Sequence, residues 1–364
     1  MPRCVFAFLV FALMASQAWA APVEAPAAKI EKPTPDAPER MELTRVQIFL
    51  DRAGFRPGKI DGLGGEFTQR AADRWCDASG VPRGSLLDLN SVPQPYRDYT
   101  VQEEDAKWVG PTASQPAAQS KLKALFYGSL WESVAERFHC DLNFLRELNS
   151  AVVEIAVGTV LRVPDVEEFR MEDVKALKKA RAEGSATPAP TPTPTPERTV
   201  DLSEPVQPPS AADFFQGDAS VAAPTPAPEP VRRLVLLREE RLIEVYEDDR
   251  IAGCFPCTPG SSKFPVPLGT WKVTSNLLLP NFRWDKSVLE TGVRSENAYN
   301  LPPGPNSPVG IVWMGINRPS IGMHGTNSPD RIGRNESSGC IRLANWDAFR
   351  LCQLVKKGTP LEVR

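Results

Sequence analysis

One stretch near the C-terminus reads His324-Gly-Thr-Asn-Ser-Pro-Asp-Arg-Ile-Gly-Arg-Asn-Glu-Ser-Ser-Gly-Cys340-Ile-Arg342. Its Gly, Asn, Ser, Pro and Asp residues favour a structured loop over a helix, and such loops often carry chemistry on a rigid scaffold. A thiol needs a base or a positive neighbour to act as a nucleophile at neutral pH. Because the only other histidine is the distant His139, we predict that His324 serves Cys340. The alternative is a buried, inert thiol.

The order of these residues is informative. The histidine comes first, the cysteine follows sixteen positions later and the arginine two positions after that, whereas papain-like peptidases place the cysteine before the histidine. The stretch resembles the L,D-transpeptidase (YkuD-type) signature, in which a His-Gly pair and a loop precede Ser/Thr-His-Gly-Cys and a later Arg or Asn. Ser338 occupies the place of the family's usual second histidine. The resemblance extends more loosely over residues 231–364.

The resemblance implies a cysteine-dependent acyltransferase that needs no metal and no cofactor. Cys340 would be the nucleophile and His324 the general base and acid. The carbonyl of Gly325 would orient the imidazole, and the backbone around Gly339 would hold the oxyanion, since glycine allows close approach. The predicted substrate-binding residues are Arg342, whose fork suits a carboxylate, Ser338 and Ser337. Solvated surface positions are expected for Arg331 and Arg334.

In the implied reaction, Cys340 attacks the carbonyl of the third residue of a peptidoglycan tetrapeptide stem. D-Ala leaves, a thioester forms, and an amine of another stem completes a 3-3 crosslink. L,D-carboxypeptidation and attachment of a protein to the wall share this acyl-enzyme and differ only in the acceptor. A sortase-like transpeptidase has the same residue order but a longer gap between histidine and cysteine. A non-catalytic peptidoglycan-binding protein also stays open, because of Ser338.

The C-terminal domain, residues 231–364, is predicted to be a mainly-β sandwich or barrel-like fold with one or two short helices. Strand-like runs are 234–237, 242–246, 269–274 and 311–314. The convincing helix covers 346–355. Asn345 is predicted as its N-cap, and Asp347 in its first turn would favour the helix dipole.

Two small modules are predicted before the catalytic domain. Residues 41–98 carry helical periodicity interrupted by a turn around Gly62, and they resemble a three-helix peptidoglycan-binding module; a helical domain without a ligand is the alternative. Residues 99–166 contain two short amphipathic helices closed by a strand and resemble an α+β LysM carbohydrate-binding module. His139 falls in the turn after the first of these helices and is predicted to be an exposed turn residue.

Composition and the flanking segments indicate an exported multi-domain protein. Residues 1–20 have a basic start, a short apolar run and a small-x-small site, as in a signal peptide; a short membrane anchor is the alternative. Residues 21–40 are predicted to be a disordered tether. Residues 167–230 are predicted to form a helix and then a linker that holds many of the 37 prolines. Such a linker would keep the catalytic domain mechanically independent of the modules.

The expected location is the periplasm or the cell wall, and the expected partners are peptidoglycan stem peptides and glycan strands. The net charge of −3 gives no basic field for nucleic acid. No further stretch is apolar enough to give the mature chain a transmembrane segment, and we expect a monomer.

Redox or zinc roles are disfavoured for the Cys254–Cys257 pair, which lacks the required context. Pairing of Cys76 with Cys140 is left open, and Cys352 is expected in the core.

Overall fold

The computed structural model describes the chain in segments: 32–184, 230–261, 264–291, 293–334 and 339–364. The predicted signal peptide, most of the first tether, the proline-rich part of the linker, and Ser337 and Ser338 lie outside the described residues. Among the described residues there is no helix with the length and apolar character that a membrane span requires.

The first part of the described chain is mainly helical. Its helices are α1 (Pro38–Arg52), α2 (Glu66–Ser79), α3 (Glu103–Ala106), α4 (Pro116–Gln119), α5 (Leu130–Arg137), α6 (Leu142–Leu148) and α7 (Met171–Ala182). A 3-10 turn spans Leu89–Ser91. Strands β1 (Tyr96–Thr100) and β2 (Val160–Pro164) pair in antiparallel fashion.

Local sequence explains where these helices begin and end. α1 starts on Pro38, whose missing N–H costs nothing at that position. α2 ends at Gly80, which adopts a left-handed conformation with φ of 71°. At the start of α6, the Asp141 side chain accepts hydrogen bonds from the N–H groups of Asn143 and Phe144. The paired helices expected on either side of the turn near Gly62 are present as α1 and α2.

The second part is rich in strands, as predicted. The strands are β3 (Arg232–Leu237), β4 (Leu242–Glu247), β5 (Arg250–Pro256), β6 (Thr258–Pro259), β7 (Gly269–Leu278), β8 (Phe282–Asp285), β9 (Ala298–Leu301), β10 (Val312–Ile316), β11 (Gly322–His324), β12 (Ile341–Arg342) and β13 (Pro360–Val363). The helices are α8 (Lys286–Thr291) and α9 (Asn345–Leu354).

Within the described residues, one sheet contains nine strands in the order β5-β4-β3-β13-β7-β10-β11-β12-β6. Neighbours in it are antiparallel except for β13 with β3 and β11 with β12. β8 and β9 form a separate antiparallel pair. Each of the four predicted strand runs coincides with a strand, and the mainly-β prediction for this part is confirmed.

The helical and strand-rich parts pack against each other, so the prediction of mechanical independence is wrong. The described residues from Thr34 onward belong to one compact unit. The main apolar cluster joins Trp108, Tyr127, Phe169, Met171 and Val174 to side chains of the large sheet and of α9. The prediction failed because the sequence pattern reports how polar a connecting segment is, and not which surfaces on either side of it are complementary.

Polar contacts cross the same boundary. The backbone of Gly54 and Arg56 exchanges two hydrogen bonds with Cys254 on β5, with N–O distances of 3.2 and 2.8 Å. Arg74 on α2 pairs with Glu244 on β4, and both side chains are buried. Breaking such a pair from one side would leave an uncompensated buried charge.

His139 is buried, and its prediction as an exposed turn residue is wrong. It is 4% exposed, and its Nδ1 lies 3.0 Å from Asp51 Oδ2. Its ring stacks on Trp346 of α9 at a centroid distance of 5.5 Å. The turn is covered by a helix distant in sequence, which local turn signals do not reveal. Burial lowers the pKa of His139 from its usual value, although Asp51 opposes the shift.

Asn345 does not cap α9; the N-cap is Ala344, and no side chain caps this helix. The Asn345 amide instead bonds to Ile311, Pro305 and Glu136. Asp347 does lie in the first turn, but burial raises its pKa to about 8, so at neutral pH it carries little charge for the helix dipole. Both deviations arise because the start of α9 is enclosed by other elements.

Candidate active site

Strand pairing brings His324 and Arg342 side by side. β11 and β12 are parallel, and His324 is opposite Arg342, while Met323 is opposite Ile341. The Leu343 N–H donates to the His324 carbonyl at 2.8 Å, which extends this ladder. Cys340 directly precedes β12, two positions before Arg342. His324 and Arg342, which are far apart in the sequence, thus lie on adjacent strands.

The imidazole of His324 is held on two sides. Its Nδ1 lies 2.6 Å from the carbonyl oxygen of Gly325, and its ring stacks on Trp313 at a centroid distance of 5.5 Å. Since a carbonyl oxygen only accepts, Nδ1 carries the proton and Nε2 keeps its lone pair. Burial, aided by Arg342, lowers the pKa of His324 to about 4, against the opposing bond to Gly325. The ring is therefore a neutral base at neutral pH.

The thiol of Cys340 is half-buried. Its Sγ is 3.5 Å from the carbonyl oxygen of Ser320, a residue with an unusual φ of 63°. Burial raises the pKa of the Cys340 thiol, although a backbone hydrogen bond from Gly322 and the charge of Arg342 act in the opposite direction. A neutral thiol that reacts with the help of a neutral imidazole passes its proton to the histidine only as the sulfur attacks.

The other described thiols lack this setting. None of the six described cysteines forms a disulfide, so Cys76 and Cys140 are not bridged. Cys254 and Cys257 are fully buried, and burial raises the pKa of both. The core position expected for Cys352 is confirmed. Cys340 is thus the described thiol that combines partial exposure with a nearby histidine.

Comparison with known proteins identifies the strand-rich part of the chain. Residues 231–363 match the YkuD family model, the L,D-transpeptidase catalytic domain. The L,D-transpeptidase YkuD of Bacillus licheniformis is 27% identical over 131 residues, which are 36% of this chain and 64% of that protein. YkuD of Bacillus subtilis is 38% identical over 78 residues, 21% of this chain and 48% of that protein. The chain therefore spans about half to two thirds of the length of these relatives.

Solved L,D-transpeptidases also align with part of the chain. One from Mycobacterium smegmatis has 21% identity and a TM-score of 0.31, covering 37% of this chain and 59% of that one. One from Mycobacterium tuberculosis has 22% identity and a TM-score of 0.30, covering 37% of this chain and 58% of that one.

Two glycines of the strand-rich part lie where no side chain fits. A Cβ on Gly325 would lie 2.2 Å from Asn345 Oδ1, and one on Gly310 would lie 2.1 Å from the same atom. Gly339, next to the thiol, has φ of 97°, a conformation that favours glycine. The backbone at Gly325, which carries the carbonyl that bonds to His324, can therefore approach the Asn345 amide closely.

A cavity of about 360 Å³ adjoins the strands of the site. It is lined by Arg238, Glu239, Arg241, Thr258, Pro259, Gly260, Ser261, Pro265, Gly333 and Arg334. β6, which contributes Thr258, pairs with β12, and the Gly260 N–H donates to the Cys340 carbonyl at 3.0 Å. Three arginines against one glutamate give this cavity a positive lining. It suits an anionic group close to the thiol.

The other residues singled out in the sequence are Arg331, Arg334, Arg342 and the two serines before Gly339. Arg331 and Arg334 are exposed, as expected for surface arginines. Burial lowers the pKa of Arg342; the proximity of Arg331 acts in the same direction, while Cys340 opposes it. Ser337 and Ser338 lie outside the described residues.

Sequence reasoning missed Trp313, Ser320 and Glu136. Trp313 could have been suspected, since it lies in a predicted strand run and is half-buried against the histidine. Nothing in the local sequence points to Ser320 or to Glu136. Their relevance arises from contacts with residues far away in sequence.

We expect the imidazole of His324 to titrate near pH 4 in the folded protein, because burial penalises its charged form. In the unfolded chain the pKa of a histidine is about 6.5. Because the folded pKa is the lower one, folding stability is unaffected above about pH 6.5 and falls as the pH drops towards 4, by roughly 3 kcal/mol in total. Nitrogen NMR measures this directly, since the chain has only two histidines. A His324 midpoint near 6.5 would contradict a buried neutral base.

Proposed function

We propose that this protein is a peptidoglycan L,D-transpeptidase in which Cys340 is the nucleophile. The observation that supports the proposal is the pairing of β11 with β12, which sets His324 opposite Arg342, with the half-buried thiol of Cys340 directly before β12, in a domain that matches the L,D-transpeptidase family model. Each of these groups has a role in acyl transfer through a thioester.

In the first half-reaction, His324 Nε2 takes the proton of the Cys340 thiol while the sulfur attacks the carbonyl carbon of the third stem residue. The tetrahedral oxyanion is stabilised by backbone N–H groups near Gly339. The bond to D-Ala then breaks, and His324 returns its proton to the leaving amine. The products are free D-Ala and a thioester on Cys340.

In the second half-reaction, the side-chain amine of another stem attacks the thioester carbonyl. His324 accepts the proton that the amine loses, and the sulfur leaves as a thiolate that takes this proton back. A 3-3 crosslink results and the enzyme is regenerated. The Gly325 carbonyl keeps Nδ1 protonated throughout, so Nε2 remains the atom that exchanges protons.

Arg342 and the arginine-lined cavity are proposed to recognise the carboxylates of the stem peptide. Arg342 is half-buried and opposite His324, so its charge acts close to the reacting carbonyl. The cavity beyond β6 offers three further guanidinium groups for negative charge. Ser337 and Ser338 are proposed to contact the substrate as neighbours of Gly339 in the sequence.

The amino-terminal part is proposed to bind the polymer. Residues 41–98 would act as a peptidoglycan-binding module and residues 99–166 as a LysM-like module for glycan strands. A peptidoglycan substrate also implies an exported protein in the periplasm or cell wall. Sedimentation of the full chain with isolated sacculi tests the binding role, and loss of the protein to the supernatant would contradict it.

The test of the activity is incubation of the full chain with purified tetrapeptide muropeptides, followed by mass analysis of the products. Crosslinked dimers with release of one D-Ala are expected. Tripeptides alone would identify water as the acceptor and an L,D-carboxypeptidase. No change in the muropeptides, with active enzyme controls in parallel, would contradict the proposed function.

Ser338→His is expected to leave the rate within about threefold of the wild type, since the family's second histidine is not the base in this mechanism. The measurement is the rate of D-Ala release from a tetrapeptide. A gain of about tenfold or more would mean instead that the natural serine limits the enzyme at this position.

A further inference from the structure

Glu136 lies on α5, outside the residues that match the L,D-transpeptidase family, yet it reaches into that domain. It is 6% exposed. Its Oε1 accepts a hydrogen bond from Asn345 Nδ2 at 2.9 Å, and its Oε2 accepts one from the Tyr127 hydroxyl. Both partners are buried as well. Burying a carboxyl group costs free energy unless its oxygens are hydrogen-bonded, and here both oxygens have a partner.

Asn345 is the residue that Glu136 holds. Both donors of its amide are engaged, since Nδ2 also donates to the Pro305 carbonyl at 3.1 Å, and Oδ1 accepts from the Ile311 N–H at 3.2 Å. Asn345 is completely buried. A buried amide with every bond made has one orientation, and losing one partner leaves a donor unsatisfied.

The Asn345 amide in turn sets the backbone next to the catalytic imidazole. Its Oδ1 occupies the space that side chains would need at Gly310 and Gly325. Gly325 supplies the carbonyl that lies 2.6 Å from His324 Nδ1. The contacts therefore run without a gap from Glu136 through Asn345 and Gly325 to His324.

We propose that Glu136 is a positioning residue for His324: by fixing the Asn345 amide, it holds the Gly325 carbonyl that orients the imidazole. The helical part of the chain thereby completes the active site. This inference rests on the proposed function, because it takes His324 to be the base.

The protonation state of Glu136 suggests a conservative replacement. Burial raises its pKa to about 8, against the opposing bonds from Tyr127 and Asn345, and nearby Glu132 adds to the rise. At neutral pH the side chain is mostly a neutral acid. In this neutral form the Glu136 hydroxyl donates to the Tyr127 oxygen, whereas the carboxylate accepts from the Tyr127 hydroxyl. Glutamine reproduces the neutral form, because its oxygen accepts from Asn345 and its NH2 donates to Tyr127, whereas methionine keeps the length and loses both bonds.

The test compares Glu136→Gln and Glu136→Met in the full chain. Three quantities are measured: kcat and KM for a tetrapeptide, the rate of Cys340 alkylation by iodoacetamide between pH 5 and 9, and the nitrogen NMR signals of His324. For Glu136→Met we expect kcat to fall about 10- to 100-fold with KM nearly unchanged, since a small misplacement of a catalytic group has effects of this size. Alkylation should slow, and the His324 signals should shift. Glu136→Gln should keep all three close to the wild type.

Arg74→Met is the matched control, because it breaks a buried ion pair between the same two parts without touching Asn345. We expect it to lower the melting temperature while kcat per folded molecule stays within about threefold of the wild type. If Glu136→Met loses activity only in proportion to the folded fraction, as Arg74→Met does, the inference is overturned. It is overturned as well if Glu136→Gln is as impaired as Glu136→Met.

Failure of the proposed function gives a different pattern. If the wild type has no turnover on any muropeptide while Glu136→Met still changes the His324 signals and the alkylation profile, the positioning role stands and the substrate assignment falls. If the wild type turns over tetrapeptide and Glu136→Met equals it in all three measurements, the proposed function stands and Glu136 has no positioning role.

Discussion

Cys340→Ala is expected to lower tetrapeptide turnover by about 10⁴-fold or more, since the covalent route through a thioester disappears. The fold should survive, because the substitution removes one sulfur atom from a half-buried position. D-Ala release measures turnover, and thermal denaturation followed by circular dichroism measures stability. The melting temperature should change little.

Cys76→Ala is the matched control. It removes a sulfur from a buried thiol on α2, away from β11 and β12, and should leave turnover within about twofold of the wild type once folding is taken into account. Full turnover by Cys340→Ala would show that Cys340 is not the nucleophile. Equal losses in both variants would mean that stability, and not chemistry, had been measured.

The isolated domain 231–364 is expected to lose its cooperative fold or to aggregate. Removing the helical part uncovers the apolar side chains that pack against Trp108, Tyr127 and Phe169, each such aromatic being worth roughly 1.5–3 kcal/mol when fully buried. It also leaves buried Glu244 without Arg74, a loss of roughly 3–5 kcal/mol for a buried pair. These losses together compare with the whole stability of about 5–15 kcal/mol of a typical domain.

Cutting the chain between the helical and strand-rich parts tests whether packing alone holds the two parts together. With a protease site placed within 185–229, cleavage should yield two fragments that stay together in size-exclusion chromatography and keep turnover, because the contacts between the parts remain. Thermal denaturation of the isolated 231–364 domain provides the comparison. A cooperative transition and wild-type turnover on soluble muropeptides by that domain alone would show that the helical part is dispensable for catalysis.

Much of the strand-rich domain could be predicted from local pattern. The runs at 234–237, 242–246, 269–274 and 311–314 alternate or cluster apolar residues as strands do, and each lies in a strand of the large sheet. The roles of His324 and Cys340 stay a prediction, but their motif, by residue type and order, pointed to a family that residues 231–363 match.

What the sequence could not reveal depends on contacts between distant segments. His139 was predicted to be exposed because its neighbours form a turn, whereas Trp346 covers it. Asn345 has the residue type and position of an N-cap, but tertiary contacts engage its amide elsewhere. Glu136 belongs to an amphipathic helix in which a glutamate is ordinarily solvated. Its burial follows from docking of that helix onto α9, which no local periodicity encodes.

The measurement that tests the central claim most directly is the intact mass of the protein after brief exposure to a tetrapeptide muropeptide without an amine acceptor. A thioester mechanism predicts an adduct equal to the muropeptide minus D-Ala, mapped by peptide analysis to Cys340, released by hydroxylamine and absent from Cys340→Ala. An adduct on another residue, or one that persists in Cys340→Ala, would contradict the account.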